Sequence, residues 1–370
     1  MPKTNKKKIC IVVSSLGVGG AERSSAMLSQ MLYDSGHDVY ITTVKNIIDY
    51  PYKGELLNLG KLKKDNDSII QRIKRLFVFR SYLKKHNFDF IIDGRSRVGF
   101  LKELIINRVL YKSKKTIFTV HSFNTDIYIH PNAFLAKIIY RSTARFVVVS
   151  EAIAKKIKAT YGFKNVSVIH NSVDENLIKF DDDHTDQLEK YILFFGRLDD
   201  EVKNISLLLN GYAKSMLPDN SVKLKILGNG EDLEKLKAKS RNLTLTGNVE
   251  FLNFKSNPFS IVSNALFTVL TSRYEGFPMV IVESLNLGTP VVSVDCLSGP
   301  NEIIQHEYNG LLVENYNIDA LASAMNRMYT DKDLYLHCKE NAKVSVSEFS
   351  IDNIAQQWET ILNKSENEYH

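Results

Sequence analysis

Apolar and polar positions change period repeatedly along the chain. Short, mainly apolar runs such as KKICIVVSS, HDVYITTV, FDFIID, KKTIFTVHS and ARFVVVS have the character of buried strands. Segments with helical spacing separate them, beginning with AERSSAMLSQMLYDSG. This alternation predicts an α/β protein with parallel sheets. A polar, acidic stretch, FDDDHTDQLEK (Phe180–Lys190), interrupts the pattern, which restarts at YILFFGRL and continues through VKLKILGNGED, VEFLNF, ALFTVLTS, TPVVSVD and NGLLVEN. Two domains, 1–183 and 184–348, are therefore expected, and 370 residues suit two cores. The last segment, FSIDNIAQQWETILNK, predicts an amphipathic helix with Ile351, Ile354, Trp358 and Leu362 near one face, anchored by the only Trp.

Composition narrows the class. With 44% apolar and 24% charged residues, the chain is neither wholly disordered nor fibrous. Ser256–Ser272 lacks charge, but Pro258 and several polar residues interrupt it, so no membrane span is expected. The start, MPKTNKKKICIVV, reads as a basic tail before a first strand. Cys10, Cys296 and Cys338 form neither a disulfide framework nor a zinc spacing, which fits buried thiols and a reducing cytoplasm.

Charge is unevenly spread. Residues 1–185 carry 31 Lys and Arg against 17 acids, and residues 186–370 carry 17 against 25. The first half is thus expected to meet something anionic: lipid, a lipid-phosphate substrate or nucleic acid. The segment SIIQRIKRLFVFRSYLKK combines Ile69, Ile73, Leu76, Phe77 and Leu83 with six cations. It suits either a core helix with a solvated basic face or a helix lying on an anionic membrane. No aromatic–basic RNA motif accompanies it, so nucleic acid is not expected.

Parallel sheets bind ligands at the carboxyl ends of their strands, and three junctions there carry candidate chemistry. GVGGAERS (Gly17–Ser24) follows the first strand and suits backbone approach to a phosphate or a tight turn. It is not the GxGxxG of a dinucleotide site, and ITTVKN ends the second strand without the required acid. GRLDDEVKN brings Arg197 and Lys203, cations suited to a departing diphosphate. RYEGFPMVIVESLNLGTPVV holds Glu275 and Glu283 eight positions apart. Pro278 suits the first turn of a helix, leaving Glu275 in the loop and Glu283 more than a turn inside.

With these strings in order, the sequence resembles the retaining, nucleotide-sugar-dependent family-4 glycosyltransferases of the GT-B fold. The supporting motifs are GGAE, HNSVD (His170–Asp174), GRL then KN, GNGED (Gly228–Asp232), VEFLNF, TSRYEGFP, SGPNEII and NGLLV. The resemblance spans essentially the whole chain. It implies two facing Rossmann-like domains with the site in their cleft and a final helix, 349–367, crossing back onto the first domain. By the same resemblance Arg197 and Lys203 would bind the donor diphosphate, and Glu283 the ribose. Glu275 with Gly276, Phe277 and Pro278 would position the sugar. Gly19 and Gly20 would approach phosphate and acceptor, His121 would lie near the transferred sugar, and Asn253, Phe254 and Lys255 would meet the base. The sequence departs from the family at Ser172 and Asn253, where Gly is usual; Asn tolerates left-handed backbone better than most residues.

The expected activity is metal-independent, retaining transfer of a hexose from a nucleotide-diphosphate sugar, UDP favoured. The acceptor would be a growing, lipid-linked glycan of a bacterial-type surface, such as lipopolysaccharide or capsule. No cofactor is expected beyond the donor substrate, and Asp65–Asp67 and Asp331–Asp333 are not read as metal sites. The expected location is cytoplasmic, peripheral on the inner membrane. A GT-B epimerase or phosphorylase and a non-catalytic nucleotide- or lipid-phosphate-binding scaffold are the alternatives.

Overall fold

The computed structural model describes residues 6–17, 19–63, 67–111, 113–173 and 189–367. The chain divides into two compact units, one of residues 1–172 and 351–370, the other of residues 173–350. The expected boundary between residues 183 and 184 lies outside the described residues.

The first unit is a seven-stranded, all-parallel sheet. Its strands are β1 (Lys8–Val13), β2 (Asp38–Thr43), β3 (Glu55–Asn58), β4 (Phe90–Asp93), β5 (Thr116–Val120), β6 (Arg145–Val148) and β7 (Val166–Val168). Their order is β3-β2-β1-β4-β5-β6-β7. β4 and β5 are buried at every residue, as helices on both faces require. The edge strands β3 and β7 are only half-buried. Their short, mixed sequences give no strand signal, and sequence analysis does not anticipate them.

The second unit is a six-stranded parallel sheet. It comprises β8 (Tyr191–Phe195), β9 (Lys223–Leu227), β10 (Val249–Leu252), β11 (Thr268–Leu270), β12 (Val291–Asp295) and β13 (Gly310–Glu314). Their order is β10-β9-β8-β11-β12-β13. In each sheet the chain winds outward, returns to the centre and winds the other way. The direction reverses between β1 and β4 and between β8 and β11. At such switch points the loops after adjacent strands diverge and leave a crevice.

The helix Ile351–Asn367 completes the core of the first unit. Ile354, Trp358, Ile361 and Leu362 are buried against Ile9, Ile11, Leu28, Met31 and Leu32. Beside them the Lys7 amide donates to His37 Nδ1 (3.2 Å), so His37 presents Nε2–H to Glu359 Oε1 (2.6 Å). Cys10, Cys296 and Cys338 are all buried free thiols. Burial pushes Cys10 up to about 12, far from thiolate chemistry.

Trp358→Ala removes the largest side chain of the closing helix from this core. It should cost about 3–5 kcal/mol, read as a lower denaturation midpoint in urea.

Candidate active site

In the second unit, the β8 and β11 loops meet at the switch point. The β8 loop carries Arg197 and ends in the short helix Asp200–Lys203, and the β11 loop runs from Thr271 to Pro278. Three contacts join them. Thr271 Oγ1 donates to the Lys203 carbonyl (3.1 Å), and the Arg273 amide donates to the Val202 carbonyl (2.8 Å). Lys203 Nζ donates to Glu275 Oε1 at 2.6 Å, an oxygen that also accepts from Ser272 Oγ at 2.6 Å. Lys203 and Glu275 are each largely removed from solvent. One of the three ammonium N–H donors is thereby spent, leaving two for a ligand.

Arg197 stands differently. Its side chain is mostly exposed and pairs with Asp199 Oδ2 at 3.1 Å. Such an exposed pair is worth at most about 1 kcal/mol, so the guanidinium is readily exchanged onto an incoming anion. The loop beneath is stiff. The Asp199 carboxylate accepts from the Val202 amide, and the Asp200 carboxylate accepts from the amide and hydroxyl of Ser206 (both 2.7 Å).

The GNGED motif is the other wall of this loop. Leu198 N–H donates to the Asn229 carbonyl (2.9 Å), and the Asp200 amide donates to Asp232 Oδ2 (2.7 Å). A Cβ on Gly228 would overlap the Gly196 carbonyl oxygen, and one on Gly230 would overlap that of Leu198. Both glycines therefore let two loops lie backbone against backbone. Asn229 Oδ1 also accepts from the Phe254 amide (3.4 Å), tying in the exposed segment Asn253–Lys255.

Gly276, Phe277 and Pro278 are buried at the entry to the helix Met279–Asn286. Pro278 sits at the N-cap, one residue before the expected first turn, and Glu283 is buried within the helix. Ser298 Oγ donates to the Gly276 carbonyl (2.8 Å), and the Glu275 amide donates to that of Leu297 (3.0 Å). The SGPNE loop thus braces EGFP. In its first turn the Ile281 amide donates to the Pro278 carbonyl (3.0 Å), which leaves the Met279 and Val280 amides as the donors an anion could take.

In the first unit, Gly19 has φ 135° and leads into the helix Gly20–Asp34. The space at Gly20 is open, but the Glu22 carboxylate lies where a Cβ of Gly19 would stand. Burial raises the affinity of Glu22 for its proton. The expected phosphate loop therefore already holds a carboxyl group. His121 follows β5, with Nε2 3.0 Å from Thr119 Oγ1 and a buried Nδ1 that has no partner among the described residues. Burial, reinforced by the Arg97 guanidinium, pulls His121 down to about 4, so the ring is neutral at neutral pH. Ser24, Thr119, His121, His170 and Asn171 ring a small cavity over an apolar floor that includes Trp358. It has room for about one water molecule.

Lys203, Glu275, Gly276, Phe277 and Pro278 thus gather at one switch point, with Arg197 on the same loop as Lys203. Asn253, Phe254 and Lys255 form a separate exposed loop, and His121, Gly19 and Gly20 belong to the other unit. One expectation is corrected: neither Ser172 nor Asn253 has a positive φ, so no left-handed backbone explains the tolerance of a side chain there. Sequence analysis misses Ser272, Asp200, Asn229 and the Ser24–Asn171 pair (2.8 Å). All five lie inside the quoted strings TSRYEGFP, GRLDDEVKN, GNGED, GVGGAERS and HNSVD, but no spacing rule singles them out there. Asp67 is held by Arg72 and Arg75, and Asp331 caps a helix at the Leu334 amide, so both carboxylates have structural partners. Asp65 and Asp174 lie outside the described residues.

Residues 18–177 match the family model described as Glycosyltransferase Family 4, and residues 178–345 the one described as Glycosyl transferases group 1. The chain is similar to a lipopolysaccharide 1,6-galactosyltransferase of Salmonella typhimurium, with 29% identity covering 73% of this chain and 74% of the relative. It is also similar to an N-acetylgalactosamine-N,N'-diacetylbacillosaminyl-diphospho-undecaprenol 4-alpha-N-acetylgalactosaminyltransferase of Campylobacter jejuni, at 27% identity over 95% of this chain and 98% of the relative. Among solved structures, Anabaena HepE in complex with UDP shares the fold at a TM-score of 0.79 and 19% identity, covering 96% of this chain and 100% of that one.

The depressed His121 fixes a sign for acid stability. The unfolded ring takes up a proton below its ordinary value of 6.5, and the folded ring does so only near 4. Stability should fall as pH drops through that window. Thermal unfolding at neutral and acid pH should show a smaller acid loss in His121→Asn than in the parent; equal losses would contradict the buried neutral ring.

Proposed function

Because the chain belongs to the glycosyltransferases of the GT-B fold, we propose that it transfers a sugar from a UDP-sugar, with retention of anomeric configuration, to a growing lipid-linked surface glycan. The second unit takes the donor and the first the acceptor. The observation that carries this reading is the placing of two cations at the β8/β11 switch point, where Lys203 is paired with Glu275 and Arg197 stands on a weak exposed pair. The choice of UDP is supported by the UDP complex of HepE, and the surface-glycan acceptor by the names of the Salmonella and Campylobacter relatives.

In the proposed step, the bond from the sugar's anomeric carbon to the diphosphate breaks and a bond to the acceptor oxygen forms on the same face. The acceptor's hydroxyl proton passes to the leaving phosphate, so the products are glycoside and protonated UDP. Negative charge grows on the diphosphate as the bond opens. Arg197, the two remaining Lys203 N–H donors and the first-turn amides after Pro278 are the groups available to stabilise it. Glu275 Oε1 is occupied by Lys203 and Ser272, which leaves Oε2 to accept from sugar hydroxyls. Glu283 holds the ribose, Phe254 and Lys255 with Asn253 border the base, and Gly19, Gly20 and the neutral His121 serve the acceptor side. No metal takes part in this scheme.

Membrane contact belongs to the same reading, because a lipid-linked acceptor is held at a bilayer. Among the described residues no helix is long and apolar enough to cross one.

Lys203→Ala and Arg197→Ala should each lower turnover at least about tenfold while circular dichroism stays that of the parent; near-normal turnover in both folded variants would refute the assignment. UDP at a hundred times its dissociation constant should stabilise the protein by about 2.7 kcal/mol, seen as a raised melting temperature. NMR of the glycosidic product should show the donor's anomeric configuration.

A further inference from the structure

The carboxyl edge of the second sheet continues past the EGFP loop onto β12 and β13, whose loops the donor scheme leaves unused. The loop after β12 lies against that after β11, because the Glu275 amide donates to the Leu297 carbonyl (3.0 Å) and Tyr274 bridges to Leu297. Arg273, two residues before Glu275, spans this neighbour. Its guanidinium stands 5.6 Å from the centre of the Tyr316 ring, in the loop after β13. Tyr316 is 58% exposed and Leu297 59%. Ligands of open parallel sheets bind along this edge.

Two features of the pair are costly for the fold alone. Tyr316 has φ 62°, a left-handed conformation rare for a bulky side chain. Its turn is held on both sides. The Tyr316 amide donates to Asn315 Oδ1 (2.8 Å), and Asn317 Nδ2 donates to Glu314 Oε2 (2.9 Å). Asn317 Oδ1 accepts from the Ala320 amide (2.9 Å), capping the helix Ile318–Thr330. Backbone strain of this kind concentrates at functional positions, and the core gains little from a ring more than half exposed. Arg273 is half-buried, and among the described residues no carboxylate pairs with it. Its guanidinium lies over the ring instead and keeps N–H donors for an incoming acceptor.

Charge selects the ligand. Asp295 and Glu314, register partners at the ends of β12 and β13, are both exposed. A phosphate or carboxylate drawn to Arg273 would meet these two carboxylates. A pyranose suits the whole set. Its C–H face stacks on an aromatic ring, its hydroxyl oxygens accept from a guanidinium, and its O–H groups donate to carboxylates.

We propose that Tyr316, held by Arg273 and bordered by Leu297, Asp295 and Glu314, is a stacking platform for a pyranose ring. The inference deepens the proposed function by adding a sugar subsite beside the Glu275 loop. It rests on that reading for the source of the ring, which is either the transferred sugar or the acceptor glycan.

The test uses the full chain and two arms. Saturation-transfer NMR with UDP present probes methyl galactoside, methyl glucoside and methyl N-acetylgalactosaminide as free pyranosides. The ratio of UDP-galactose to UDP affinity probes a donor sugar. The parent should bind at least one free pyranoside or prefer UDP-galactose to UDP. Tyr316→Ala should weaken that sugar recognition about fivefold, Tyr316→Phe should retain it because the stacking ring survives, and Arg273→Gln should weaken it. Circular dichroism checks that the variants fold. A loss confined to free pyranosides assigns the platform to the acceptor glycan, and a loss confined to UDP-galactose assigns it to the transferred sugar; either upholds the proposal. Affinity for UDP alone, unchanged in the variants, reads the donor site separately. Tyr316-dependent pyranoside binding in a protein that does not bind UDP would uphold the platform and sink the transferase reading. No sugar recognition by the parent, or a Tyr316→Ala variant that melts earlier yet recognises sugar as the parent does, would overturn the proposal.

Discussion

The Lys203–Glu275 pair is the contact on which the second unit's site depends. It joins the loops after β8 and β11 where the sheet changes direction. A carboxylate and an ammonium drawn out of water are costly singly and tolerable together, above all when a further hydrogen bond fixes them. Ser272 supplies that bond to the shared oxygen. The pairing also sets the sign of the site. An unpaired Glu275 would repel a diphosphate, whereas one neutralised by Lys203 does not. Asp200 and Asp232 hold the Lys203 turn from behind, so the ammonium reaches Glu275 from a braced loop rather than a mobile tip.

The strands at the centre of each sheet were legible because burial on both faces leaves an uninterrupted apolar run, as in Tyr191–Phe195. Edge strands were not. Glu55–Asn58 and Val166–Val168 are half-exposed, short and mixed in polarity, and only pairing with β2 and β6 makes them strands. The final helix was legible through the spacing of Ile354, Trp358 and Leu362, and these residues are buried. Which side of Ile69–His86 faces the core could not be read, because the sequence is apolar on both sides. Leu83 turns inward with Phe79, while Ile69, Ile73 and Phe77 turn out.

Motif strings located the site loops but not their reasons. GNGED entered only as one of the supporting strings. Its glycines are there because the Gly196–Leu198 backbone passes too close for any side chain, a contact between segments some thirty residues apart in sequence. GVGGAERS suggested an open anion cradle, yet Glu22 folds its own carboxylate back to Gly19. No spacing rule encodes that choice, which follows from the local rotamer and from burial. The bracing residues Asp200 and Asn229 lie inside GRLDDEVKN and GNGED, but a string does not tell a bracing acid or amide from a ligand contact, and the role appears only once the partners are assembled.

One buried guanidinium shapes the corresponding region of the first unit. Arg97 is almost wholly buried and donates to the carbonyls of Asp93, Arg95, Thr119 and Tyr128. Two of these acceptors lie in β4 and β5, so the side chain ties together strand ends that would otherwise leave carbonyls unsatisfied in a dry interior. Asp93 balances its charge: burial favours the protonated acid, but Arg95 and Arg97 together outweigh it and hold the carboxyl below its ordinary range. The same cation adds to the burial that keeps His121 neutral. A neutral imidazole can accept at one nitrogen and donate at the other, whereas an imidazolium can only donate. Replacing Arg97 with an apolar residue would therefore loosen the β4 and β5 ends and change the hydrogen-bonding character of the neighbouring histidine at once, because both depend on the same guanidinium.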